Sequence, residues 1–82
     1  MEEIKNKILE EGNELFFSID LEECDNTYLS FIIILDENKV SPITIRKLIT
    51  NSLPSEGYEY RTKVKNTLPD NITEWLLQIF KD

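Results

Sequence analysis

With 82 residues the chain is long enough for one domain, residues 1–82, and too short for two. Forty per cent apolar and 30% charged residues describe a globular composition, and a net charge of −7 sets the chain against phosphate backbones and anionic lipid. No stretch approaches the roughly 18 uncharged apolar residues of a membrane span, none resembles a signal peptide, and the lone Cys24 has no disulfide partner, so a cytoplasmic protein is expected.

Residues 2–11 read as a short helix. Glu2 and Glu3 suit the positive end of its dipole, Ile4, Ile8 and Leu9 share one face, and Gly12 is expected to stop it. Residues 14–22 alternate as a strand, with Leu15, Phe17, Ile19 and Leu21 on one side. Cys24 to Thr27 is expected to turn, because Asp25 and Asn26 tolerate positive φ, and a second strand runs from Tyr28 to Leu35. A two-residue loop at Asp25-Asn26 would set Leu21 opposite Ser30, Ile19 opposite Ile32 and Phe17 opposite Ile34. It would set Asp20 opposite Phe31 and Ser18 opposite Ile33 on the other face.

Asp36 to Lys39 is the next expected turn. Ser41 and Pro42 read as the N-cap and first residue of a second helix, with Ile45, Leu48 and Ile49 as its apolar stripe. Tyr58 to Lys65 alternates as a half-exposed strand. Tyr58, Tyr60, Thr62 and Val64 face inward; Glu59, Arg61, Lys63 and Lys65 face outward. Ile72, Trp75, Leu76, Ile79 and Phe80 recur at helical spacing, which predicts a third helix opening near Pro69 to Asn71 with Thr67/Asp70 or Asn71/Glu74 as its capping box. The expected fold is a small α+β domain in the order α-β-β-α-β-α. It has a three-stranded antiparallel or mixed sheet, packed with helices, whose apolar second strand is central.

The chain has no histidine, the commonest general base and transition-metal ligand. Glu22, Glu23 and Asp25 surround Cys24 in sequence and disfavour a thiolate. Asp20, Glu22, Glu23 and Asp25 lack the spacing of a calcium loop, and the two glycines are too far apart for a phosphate loop. No catalytic, cofactor-binding or metal-ligating residue is therefore assigned, and the expectation is a protein that is not an enzyme.

Charge is uneven along the chain. Residues 1–41 carry eleven acids against three lysines, and residues 42–82 carry five acids against six cations. The acidic hairpin residues Asp20, Glu22, Glu23 and Asp25 suit a basic partner. The apolar surplus on the second strand, Phe31 and Ile33 among it, needs cover: the first helix supplies it, or the remainder is an uncovered contact patch. Arg61, Lys63 and Lys65 share one strand face, where they would pair with acids across the sheet or hold an acidic segment or a phosphate. Tyr58 and Tyr60 alternate with these cations, which counts against a stacking platform for single-stranded nucleic acid.

In size and acidity the chain resembles bacterial inhibitor, immunity and phage anti-defence proteins. The functional expectation is a small acidic protein-binding module: an inhibitor, an antitoxin- or immunity-like protein, or an accessory subunit. Its partner would be another protein, of basic character, or a second copy through the sheet, with no membrane and with nucleic acid disfavoured. The alternatives are a regulatory domain holding a small ligand among Tyr58, Tyr60 and Trp75, and a nucleic-acid binder using the basic strand face.

Overall fold

In the computed structural model, which describes all 82 residues, the stripe of Ile4 and Ile8 is buried on helix α1 (Glu2–Leu15). The helix runs past Gly12. A Cβ there would lie 2.8 Å from Ile19 Cδ1, so the glycine permits a close approach of strand to helix. The helix ends where Phe16 turns extended, its N–H still donating to the Gly12 carbonyl.

Strands β1 (Ser18–Cys24) and β2 (Tyr28–Asp36) form the expected antiparallel hairpin in a different register. The Asp25 N–H donates to the Tyr28 carbonyl, and the Asp25 carboxylate accepts from the Thr27 N–H at 2.8 Å. These bonds centre the loop on Asn26-Thr27, one residue later than read. A bulge between Leu21 and Glu23 then shifts the pairing again. Ile19 therefore lies opposite Ile33 and Leu21 opposite Phe31, while Asp20 lies opposite Ile32. A one-residue slip exchanges faces, so Phe31 and Ile33 join the face of Ile19 and not that of Asp20.

Helix α2 (Ile43–Ser52) starts one residue later than expected, with Pro42 in place of Ser41 at its N-cap, and buries Ile45, Leu48 and Ile49. Strand β3 spans Tyr58–Leu68, three residues longer than expected. The expected third helix is instead strand β4 (Ile72–Lys81). Pro69-Asp70-Asn71 forms the turn before it, with Asp70 and Asn71 at positive φ (64° and 62°), a conformation that Asp and Asn adopt at low cost. Asn38 fastens this turn by donating to the Asp70 carbonyl and accepting from the Asn71 amide.

The result is a four-stranded antiparallel sheet in the order β1-β2-β4-β3, in place of three strands. The apolar β2 is an inner strand, as its composition implied. Leu29, Phe31, Ile33 and Leu35 of β2 and Leu77 and Ile79 of β4 are fully buried in one core with the stripes of α1 and α2. Both helices thus cover the same face of the sheet. Beyond Tyr60, β3 leaves that cover, and the molecule extends to 37 × 19 × 17 Å.

Candidate partner-binding face

Alternation along the strands decides what the uncovered face carries. Its inner strands contribute Tyr28, Ile32 and Ile34 from β2 and Leu76 and Phe80 from β4, all half-buried with no helix above them. The outer strands contribute charge. The bulge in β1 sets Glu23 opposite Ser30 while the Glu22 carboxylate accepts a long bond from the Ser30 hydroxyl, at 3.5 Å. Glu22 and Glu23 both flank one open-face residue, and Asp20 joins them opposite Ile32. On β3, Arg61 lies opposite Gln78 and Lys63 opposite Leu76.

The registers of the three strand pairs combine into rows across the sheet. One row reads Asp20, Ile32, Leu76, Lys63; the next reads Glu23, Ser30, Gln78, Arg61. Each row runs from an acid to a base. A third row brings Tyr28 against Phe80, with ring centroids 5.1 Å apart, and the Arg61 guanidinium sits 5.4 Å from the Phe80 ring. Gln78 donates to the Tyr28 hydroxyl at 2.8 Å and fixes that ring.

The cations of β3 do not pair with acids across the sheet. The only ion pair in the chain joins Lys5 to Glu2 within α1, which holds the Lys5 ammonium above its ordinary value through that hydrogen bond. The inner strands stand between the acidic edge and the basic one. Lys65 falls at a second bulge, between Val64 and Asn66, and Asp25 is used in the hairpin turn.

Of the residues read from the sequence, Asp20, Glu22, Glu23, Arg61 and Lys63 come together as the two borders of one face. Phe31 and Ile33 do not belong to it: both are fully buried beneath the helices and present nothing to a partner. The exposed apolar residues of β2 are their neighbours Ile32 and Ile34. Sequence reasoning missed these, together with Tyr28, Leu76 and Phe80, because the register and the last element were misassigned. Phe17, read on the apolar side of the first strand with Ile19, is 74% exposed beside a shallow cavity of about 210 Å³ with Leu15, Asp36, Lys39 and Val40, while Phe16 takes the core position.

A second concavity, about 290 Å³, opens on the helix side between α2 and the β3–β4 hairpin, lined by Ile43, Arg46, Tyr60, Thr62 and Trp75. Tyr60 and Trp75 fall where the small-ligand reading placed them, and Tyr58 does not. Arg46 Nε donates to the Tyr60 hydroxyl at 3.1 Å, which raises the guanidinium further above its ordinary value. The volume is at the bottom of the range for a small-molecule site, about 300–1,000 Å³. No three carboxylate or thiol side chains converge closely enough to hold a metal ion.

Comparison with known proteins returned no matching family model, no matching curated protein and no matching solved structure.

Proposed function

We propose that the chain is a small, non-enzymatic protein-binding module, of the inhibitor, immunity or accessory-subunit kind, and that it binds through the open face of its sheet. The observation that carries this reading is the uncovered row of Ile32, Ile34 and Leu76, bordered by unpaired charges on both outer strands. An uncovered apolar strip with a charged rim is the composition of a protein interface.

A second reading has one observation behind it: Tyr28 and Phe80 share the face of Arg61 and Lys63, as a stacking platform requires. The same face carries Asp20, Glu22, Glu23, Asp36, Glu59 and Glu74, and phosphate would be repelled by that excess. Protein is therefore the favoured partner class.

The test compares wild type with Ile32→Arg by light scattering and by capture from native lysate. Circular dichroism serves to confirm that the variant is folded. Wild type should associate, with itself or with a captured protein, and Ile32→Arg should not. Identical size and identical captured proteins for both would overturn the proposal. A salt-dependent gel shift abolished by Arg61→Glu would favour the nucleic-acid reading instead.

A further inference from the structure

In two adjacent rows the borders of the open face are complementary to each other, Asp20 with Lys63 and Glu23 with Arg61, and these rows fix how they could meet. Consider a two-fold axis parallel to the strands, lying over the gap between β2 and β4. Rotation about it keeps each row at its own level and reverses its direction. Asp20 then lies over Lys63 of the second copy, Glu23 over Arg61, and Ile32 over Leu76. By symmetry each contact occurs twice. A two-fold axis running across the strands would instead set acidic β1 on acidic β1. We infer that the open face is covered by a second copy of this chain, stacked face to face about the axis parallel to the strands. This names the partner for the protein-binding reading and rests on it.

Two further observations favour the face over the sheet edges. Each outer strand carries a bulge, β1 between Leu21 and Glu23 and β3 between Val64 and Asn66, and each is rich in charge. Bulges and charged side chains block edge-to-edge pairing. The face is also large enough. Four strands about 4.8 Å apart that overlap along about eight residues at about 3.3 Å each give about 500 Å² per copy. The total of about 1,000 Å² is about the size a biological interface must clear. Aligned stacking of two antiparallel sheets is a common packing.

The charge pattern supplies a test that a merely sticky surface would fail. In the double variant Asp20→Lys/Glu23→Lys both borders are basic; in Arg61→Glu/Lys63→Glu both are acidic. Sedimentation equilibrium should show wild type at twice 9.7 kDa. Each double variant alone should self-associate about tenfold or more weakly, because both of its junctions become repulsive. An equimolar mixture of the two should restore association, as every junction then joins opposite charges. All four positions lie on outer strands, and circular dichroism confirms that the variants remain folded. Wild type that stays monomeric at millimolar concentration overturns the inference, as does a dimer unaffected by either reversal or a mixture that does not re-associate. Failure of the dimer with capture still lost in Ile32→Arg would leave the broader protein-binding reading standing.

Discussion

Gly12 shows how one residue can carry two opposite meanings. In sequence it marks the end of an apolar helix stripe, where glycine commonly sits. In the fold it lies inside α1, buried, with Ile19 pressed against the place its side chain would occupy. Nothing within α1 announces this, because the reason lies on another element. Valine at this position would recover only part of the roughly 1 kcal/mol that glycine costs a helix, and would drive its methyls into Ile19. Gly12→Val is expected to destabilise the domain by about 1–3 kcal/mol in urea unfolding. Asp25 is the converse case. Its turn role was legible, but the loop closed one residue later, a step that keeps the faces, and the bulge between Leu21 and Glu23 then exchanged them and set Phe31 and Ile33 on the core face with Ile19.

At the scale of elements, β4 departs furthest from the helix its spacing predicts, and the cause is physical. Ile72, Trp75, Leu76, Ile79 and Phe80 fit a helical stripe. Thr73, Trp75, Leu77 and Ile79 fit a strand face equally well, and an inner strand that is apolar on both sides satisfies both patterns. What separates them is non-local. β3 needs a partner next to it, and β4 supplies that partner while also pairing with β2 along Tyr28–Asp36. A local signal was present in Pro69-Asp70-Asn71, which turns a chain between two alternating runs more readily than it caps a helix. The two assignments differ in a measurable way. The helix would bury Leu76 and expose Leu77; the strand buries Leu77 fully and leaves Leu76 half-exposed. Leu77→Ala is expected to cost about 2–5 kcal/mol. Leu76→Ala should cost about 1 kcal/mol, with both read from denaturant midpoints. The first hairpin, α2 and β3 were legible because capping, alternation and turn chemistry each pointed the same way over short distances.

For the whole molecule, the division of charge between the two halves of the sequence becomes a division between the two edges of the sheet. Acidic β1 comes from the first half and basic β3 from the second, and the insertion of β4 between β2 and β3 sends them to opposite borders. The charge asymmetry was visible in the sequence. Its geometry was not, because it depends on strand order. The separation leaves Asp20, Glu22, Glu23, Arg61, Lys63 and Lys65 without ion pairs inside the chain. The deciding question for the face-to-face dimer is therefore where association occurs. A dilution series followed by methyl-resolved nuclear magnetic resonance locates it directly. Concentration-dependent shifts are expected at the methyls of Ile32, Ile34 and Leu76, with none on the helix side at Ile43, which lines the second concavity, or at Val64, opposite Trp75. Shifts confined to Ile43 and Val64, or no shift at any methyl up to millimolar protein, would contradict the face-to-face dimer.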